Sequence, residues 1–96
     1  GLAALIETID KGDHLVIENV AVAPVFQGRG LGRYLLAHAE RQALELGYAE
    51  VRLYTNKMFE ANVRLYLAFG YSIDREETSA LGVTVYMSKP IQPCAA

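Results

Sequence analysis

The alternation of hydrophobic and polar positions divides the chain into five predicted strands and two predicted helices. Two-residue alternation or short apolar runs indicate the strands, and hydrophobic positions spaced three and four residues apart indicate the helices. In chain order the predicted elements are strands at residues 2–9 and 14–23, a helix at 31–46, a strand at 49–55, a helix at 59–70, and an antiparallel strand pair at 71–77 and 83–89. The pattern contains no repeat and no linker, so we predict a single domain over residues 1–96.

The order β-β-α-β-α-β-β predicts an α/β domain with a mixed sheet. The strand at 14–23 is largely apolar on both faces, which predicts a central strand covered from each side. Strict alternation places four of its side chains on one face, namely Val16, Glu18, Val20 and Val22. The buried stripe of the helix at 59–70 is predicted to consist of Phe59, Val63, Tyr66 and Leu67.

Composition and charge argue against several classes of function. The chain has 96 residues, of which 52% are hydrophobic, and a formal net charge of -2. A balance of this kind gives no general basic field for nucleic acid. No apolar stretch reaches the roughly 18 residues of a membrane span. The single cysteine, Cys94, permits no internal disulfide and no Cys-rich metal site, so we expect a cytoplasmic protein without a bound metal.

The candidate chemistry begins at the glycine-rich stretch after the second strand. Gly28, Gly30 and Gly32 alternate with other residues just before the leucine-rich helix, and Arg29 and Arg33 lie among them. Amides at a helix N-terminus lack partners and lie at the positive end of the helix dipole. We therefore expect a local anion site whose guest is a pyrophosphate. The alternative is that the glycines only form a tight turn and pack the helix against the sheet.

Other glycine-loop classes fit this spacing poorly. A dinucleotide fingerprint requires glycine where Arg33 stands, and a P-loop requires a Lys-Ser/Thr pair that is absent here. A kinase-type glycine loop is followed by a strand, whereas a leucine-rich helix follows here.

Three stretches together resemble the GNAT superfamily of N-acetyltransferases. Residues 27–32, QGRGLG, match the acetyl-CoA loop pattern Q/R-x-x-G-x-G/A, ENVAVAP resembles the V-x-V-x-P strand end, and NVRLYLAFGY resembles N-x-x-x-Y-x-x-x-G-F/Y. The resemblance covers about residues 5 to 90 and implies a mostly antiparallel mixed sheet with helices on both faces. Family members usually begin with a strand, two helices and a further strand, which are mostly missing here.

The resemblance implies that the coenzyme A moiety of acetyl-CoA is the expected guest. It implies that the backbone of residues 20–22 splays away from the strand at 49–55 and binds the pantetheine arm, with the Val20 amide directed at the thioester carbonyl. The implied cofactor-binding residues are Val20, Ala21, Val22, Gln27, Gly28, Arg29, Gly30, Leu31, Gly32, Arg33, Asn62 and Tyr66.

Two side chains are candidate catalytic residues. Tyr66 matches the family tyrosine that serves as general acid toward the coenzyme sulfur, the alternative being a core tyrosine with a satisfied hydroxyl. Glu18, predicted on one strand face with Val20 and Val22, is the candidate base and would take a proton from the acceptor through water. The alternative for Glu18 is a residue at the sheet edge bound to an arginine or a main-chain amide.

The predicted function is transfer of the acetyl group from acetyl-CoA to a primary amine of a small molecule or peptide. We expect direct transfer in a ternary complex, because the sequence shows no arrangement of nucleophilic Cys, Ser or His residues. The alternatives are a coenzyme-A-binding regulatory or assembly module without turnover and a generic nucleotide-binding domain. Val85 and Tyr86 belong either to the core or to the seam of a homodimer.

Overall fold

The computed structural model describes residues 4–23 and 30–91 of the chain. The elements, in chain order, are β1 (Ala4–Asp10), β2 (Leu15–Val22), α1 (Leu31–Glu45), β3 (Glu50–Asn56), α2 (Glu60–Ala68), β4 (Ser72–Ser79) and β5 (Gly82–Pro90). Every predicted element is present, and the bounds differ from the prediction by one or two residues at most ends. The predicted order β-β-α-β-α-β-β is therefore confirmed.

The five strands form one sheet in the order β1-β2-β3-β5-β4. The pair β2 and β3 is parallel, and the other three pairs are antiparallel. The parallel pair is joined through α1, as expected, since a parallel connection needs a crossover. The prediction of a mixed, mostly antiparallel sheet is confirmed.

The two parallel strands stay together over only part of their length. Pairing runs from Leu15 opposite Val51 to Ile17 opposite Leu53 and then stops, although β2 continues to Val22 and β3 continues to Asn56. The outer half of β2 is still paired with β1. The predicted splay between the two strands is therefore confirmed, and among residues 4–23 and 30–91 no strand pairs with this edge of β2 beyond Ile17.

A β-bulge lies in β2 where the splay begins. Glu7 pairs with Asn19, but the next residue of β1 pairs with Ile17, so Glu18 is an extra residue with no partner in β1. The bulge shifts the alternation: Ile17 is buried and Val20 also packs against the core, although the two are three residues apart. The prediction that Glu18 shares a face with Val20 and Val22 is wrong in its Val20 part, because strict alternation does not hold across a bulge.

The core lies on one face of the sheet, under both helices. Strand residues Ile17, Val51 and Met87 share one hydrophobic cluster with Leu36 of α1 and Tyr66 of α2. On the opposite face, no helix from residues 4–23 and 30–91 packs against the strands. The two described helices thus share a face, where the resemblance had implied helices on both, and β2 is covered from one side.

Some predicted helix contacts also differ from the structure. In α2 Tyr66 is buried, but Phe59 and Leu67 are exposed, whereas Leu65 and Phe69 pack against the core. The helix has nine residues, which is too short for the spacing of its hydrophobic residues to fix which side faces the core. The prediction that Phe59 and Leu67 are buried is therefore wrong.

Both helices end in the same glycine motif. After α2, the amide of Gly70 donates to the carbonyl of Leu67, and the amide of Tyr71 donates to the carbonyl of Tyr66. Gly47 forms the corresponding end of α1. The two glycines have φ values of 103° and 78°. This is the Schellman arrangement, which needs a left-handed residue and places the residue after the glycine back against the helix.

Candidate active site

The N-terminus of α1 is formed by Gly30. This glycine has a φ of 76°, and its carbonyl accepts the first helical hydrogen bond, from the amide of Tyr34. The first turn of α1 contains no acidic residue but does contain Arg33. A cation at the positive end of a helix is unfavourable on its own. The charge arrangement at this helix N-terminus therefore favours an anionic guest.

Glycine is favoured at Gly30 and at Gly32 for different structural reasons. A Cβ at Gly30 would meet nothing within 4 Å, so glycine is favoured there by the left-handed backbone. A Cβ at Gly32 would lie 3.2 Å from Cδ2 of Leu65 in α2. The alternative that the glycines serve helix packing therefore holds in part for Gly32, because the absence of a side chain there lets Leu65 of α2 pack against the first turn of α1.

Several predicted residues lie outside the described part of the chain. They are Gln27, Gly28 and Arg29 of the predicted loop, together with Cys94. The assignment of the loop residues to cofactor binding stays a prediction.

The outer end of β2 supplies backbone groups facing the gap of the splay. Val20 pairs with Ile6 of β1 and Ala21 pairs with Leu5, while neither pairs with β3. Val22, the last residue of β2, is placed in the same way opposite Ala4. Within the described residues, no strand pairs with the β3 side of this segment, and an unpaired strand edge of this kind is the geometry of strand addition.

Tyr66 is placed by the C-terminal end of α2. Its ring is buried and meets the ring of Tyr71 edge to face, with centroids 6.1 Å apart. Burial raises the pKa of the Tyr66 hydroxyl above its ordinary value of 10.0, so the hydroxyl carries its proton at neutral pH. Asn62 lies one turn earlier in α2 and is exposed. The two residues are thus neighbours on the helix surface, as predicted from their spacing.

The hydroxyl of Tyr71 is held by a cluster that contains Glu40 and Lys89. The Tyr71 hydroxyl donates to Oε2 of Glu40 at 3.2 Å, and Nζ of Lys89 donates to Oε1 of the same carboxylate at 2.8 Å. Burial is the largest cause that raises the pKa of Tyr71, and the adjacent Glu40 adds to it. The cluster joins α1, β5 and the end of α2, and it holds the ring that supports Tyr66.

Glu18 lies on the open face of the sheet and is exposed. The Tyr54 hydroxyl of β3 donates a hydrogen bond to Oε2 of Glu18. This bond is the largest cause that raises the pKa of Tyr54 above 10.0. The partner of Glu18 is thus a phenol, where the alternative had expected an arginine or a main-chain amide. The sequence reasoning missed Tyr54, and its signal was an aromatic residue on the polar face of a predicted strand.

A shallow cavity of about 530 Å³ lies over this open face. Its lining includes Glu18, Tyr54, Tyr86 and Asp74. Asp74, like Glu18, is an extra residue in its strand, because Ile73 pairs with Met87 and Arg75 pairs with Tyr86. Both bulged residues of the described sheet therefore direct carboxylates toward one cavity.

The residues considered for a dimer seam divide between the two faces. Val85 is 1% exposed and belongs to the core, while Tyr86 is directed at the cavity. For Val85 the core alternative is confirmed.

A splayed parallel strand pair, next to a helix that begins at a glycine, thus defines the candidate site of this α/β domain. Residues 1–71 match the model of the Acetyltransferase (GNAT) family. The chain belongs to this family. A comparison with curated protein sequences gives no match.

Solved structures of acetyltransferases share the fold. Nourseothricin acetyltransferase is 25% identical with a TM-score of 0.88, and the match covers 94% of this chain and 58% of that protein. The ribosomal-protein-S18-alanine N-acetyltransferase from Escherichia coli is 27% identical with a TM-score of 0.83, and the match covers 97% of this chain and 64% of that protein. The chain thus spans less than two thirds of the length of these two relatives.

A third solved structure also shares the fold. This GNAT family acetyltransferase from Elizabethkingia anophelis, with acetyl-CoA bound, is 17% identical with a TM-score of 0.79, and the match covers 94% of this chain and 69% of that protein. At this identity the likeness concerns the fold.

The described residues contain neither a membrane-spanning helix nor a group of metal ligands. Neither helix within residues 4–23 and 30–91 has the length and hydrophobicity of a membrane-spanning segment. Within the same ranges, no three His, Cys, Asp or Glu side chains are grouped in a way that could hold a metal ion.

Proposed function

We propose that this domain transfers the acetyl group of acetyl-CoA to a primary amine of a small molecule or peptide. The observation that carries the proposal is the loss of pairing between β2 and β3 after Ile17 and Leu53, in a chain whose family consists of acetyltransferases.

The residues around the gap fit an extended anionic donor. First-turn amides of α1 and the side chain of Arg33 would hold the pyrophosphate, with Gln27, Gly28 and Arg29 as proposed loop contributors. The free backbone edge of residues 20–22 would bind the pantetheine arm as an added strand. The Val20 amide would donate to the thioester carbonyl and stabilise the developing oxyanion.

The candidate acid and base lie on opposite faces of the sheet. Tyr66 belongs to the helix-covered face and Glu18 to the open face. This arrangement would let the acceptor amine approach the thioester from the open face, with the coenzyme sulfur toward Tyr66. The cavity of about 530 Å³ beside Glu18 is the proposed acceptor site.

The proposed step balances without a covalent enzyme intermediate. Glu18, directly or through one water, takes a proton from the acceptor ammonium. The amine nitrogen forms a bond to the acetyl carbon and the carbon–sulfur bond breaks, while Tyr66 donates its proton to the departing sulfur. The second proton of the amine nitrogen returns through water to the Tyr66 oxygen, and Glu18 releases the first proton to solvent. The products are the acetylated amine and the free thiol of coenzyme A.

The experiment measures donor binding and turnover separately. Calorimetry follows acetyl-CoA binding, and a thiol reagent follows coenzyme release with a panel of primary amines. Tyr66→Phe should lower kcat by about 10²-fold or more while the Kd of acetyl-CoA stays within about twofold. Tyr48→Phe is the matched control, because its hydroxyl binds Asp10 at the far end of β1.

The outcomes separate the candidate functions. Binding with thiol release for one class of amine supports the transferase. Binding with no release for any amine would favour the coenzyme-A-binding module, and competition by ATP at equal affinity would favour a generic nucleotide domain.

A further inference from the structure

The hydrogen bond between Tyr54 and Glu18 spans the gap of the splay. It joins β3 to β2 one residue beyond Leu53 and Ile17, the last pair of the parallel ladder. Among residues 4–23 and 30–91, no other side chain donates to the Glu18 carboxylate. The phenol hydroxyl is therefore the contact in the described structure that orients this carboxylate at the mouth of the gap.

Tyr54 is itself fixed from its other side. It stands directly opposite Tyr86 of β5, with ring centroids 6.1 Å apart. The guanidinium of Arg75 lies 4.0 Å above the Tyr86 ring, and its Nε donates to Glu77 at 2.9 Å. The Tyr86 hydroxyl also donates to Glu77, at 3.3 Å. Contacts thus run from the edge strand β4 across β5 and β3 to Glu18.

The bulge makes such a fixed partner necessary. As the extra residue of β2, Glu18 has no partner in β1, and it lies where β2 has already left β3. A glutamate on a bent strand end has three side-chain torsions with little to restrain them. Since a misplacement of about 1 Å can cost about 10²-fold in rate, a base in this place needs an anchor.

We infer that Tyr54 is a positioning residue, which holds Oε2 of Glu18 so that the carboxylate presents its other oxygen to the proton of the acceptor amine. The inference rests on the proposed role of Glu18 as the base. Tyr54 transfers no proton: its elevated pKa, caused first by the bond to Glu18, keeps it a hydrogen-bond donor at neutral pH.

The hydrogen bond is tested without any turnover. Tyrosines labelled at Cζ are titrated by NMR, and the Tyr54 signal is assigned from its absence in Tyr54→Phe. Glu18→Gln should lower the pKa of Tyr54 toward 10.0, because the charged acceptor is removed. The pKa of Tyr48, whose partner is Asp10, should stay the same in this variant. An unchanged Tyr54 pKa would overturn the inference.

Turnover is tested by a double-mutant cycle in the full chain. Tyr54→Phe should lower kcat by about tenfold with little change in the KM of acetyl-CoA. In the Glu18→Gln background the same change should alter kcat by less than about twofold, because the group that Tyr54 positions has been removed. Tyr48→Phe, which also deletes a tyrosine–carboxylate bond, should leave kcat unchanged.

The cycle separates two kinds of failure. If Glu18→Gln lowers kcat but Tyr54→Phe has no effect, or has an equal effect in both backgrounds, the positioning role is overturned while Glu18 keeps its role as base. If Glu18→Gln leaves kcat unchanged in a chain that turns over, the proposed base is wrong and the positioning role falls with it. Unfolding curves of each variant show whether a loss of kcat reflects loss of the fold.

Discussion

Replacing Gly70 by alanine is expected to destabilise the domain more than the same change at Gly47. Both glycines follow a helix in a Schellman motif with positive φ. A Cβ at Gly47 meets nothing within 4 Å, whereas a Cβ at Gly70 would lie 3.2 Å from Cε and 3.5 Å from Nζ of Lys89. The two positions therefore share a backbone cost and differ in a side-chain contact.

The magnitude follows from these contacts. Left-handed backbone costs a residue with a Cβ about 1–2 kcal/mol, which is the whole effect expected at Gly47. At Gly70 the new methyl group must also push Lys89 aside by a few tenths of an ångström. The Nζ of this lysine binds Glu40 at 2.8 Å and lies 4.5 Å from the centre of the Phe69 ring. Disturbing a half-buried pair of this kind adds about 1 kcal/mol. We therefore expect a loss of about 2–3 kcal/mol for Gly70→Ala.

The assay is urea unfolding followed by circular dichroism, with the free energy of unfolding compared at constant m value. Lys89→Ala provides the decisive background, because it removes the side chain that the new methyl group meets. In that background Gly70→Ala should cost about 1 kcal/mol less than in the native chain. An equal cost in both backgrounds would refute the argument from Lys89 and assign the whole effect to the backbone.

Three further predictions rest on other parts of the structure. Leu36→Ala should lower the free energy of unfolding by about 2–5 kcal/mol, since this side chain is 0% exposed, whereas Leu81→Ala, at 88% exposure, should change it little in the same urea assay. Burial holds the pKa of Tyr71 above its ordinary 10.0. The protonated Tyr71 therefore contributes its full stability below pH 10, and this contribution is lost as the pH rises above 10. Tyr71→Phe should reduce the decline in unfolding free energy measured between pH 9 and pH 12, roughly the range in which tyrosine titrates. Gly30→Ala should weaken acetyl-CoA binding in calorimetry by about tenfold or more, because the left-handed backbone of this residue costs about 1–2 kcal/mol when a Cβ is present and the α1 N-terminus is distorted. Gly12→Ala is the control: this residue lies in a turn with a φ of 90°, and the variant should bind acetyl-CoA as the native chain does.

Much of the fold was predictable because local pattern decides it. The helix predicted at 31–46 is observed at Leu31–Glu45, since leucine and alanine recur at helical spacing and Gly47 ends the repeat. The site was predictable only in part. Tyr66 follows from its motif, and its burial agrees with that placement, but the importance of Tyr54 depends on which strand lies beside β2. The order of strands in the sheet decides that β3 lies beside β2, and the local sequence pattern does not reveal this order.

The bulge at Glu18 shows why alternation alone misassigned one face of β2. Leu15, Val16 and Ile17 are all apolar, so the strand gives no sign of which phase is buried. The polar pair Glu18 and Asn19 then interrupts the run, and the buried phase resumes at Val20 instead of Asn19. A strand that is apolar in both phases accommodates an extra residue without exposing its core side chains, and so its sequence conceals the shift.

The same extra residue links the position of the proposed base to the opening of the cleft. A bulge bends its strand and increases the local twist, and the pairing of β2 with β3 stops after Ile17, at the bulged Glu18. The residue that turns the strand away therefore stands at the mouth of the gap that it creates. Its side chain faces the open side of the sheet, while Val20, two residues further, returns to the core side and holds the bent segment in place. The cleft and the carboxylate beside it arise from one local irregularity, and the hydroxyl of Tyr54 is the contact that spans the resulting gap.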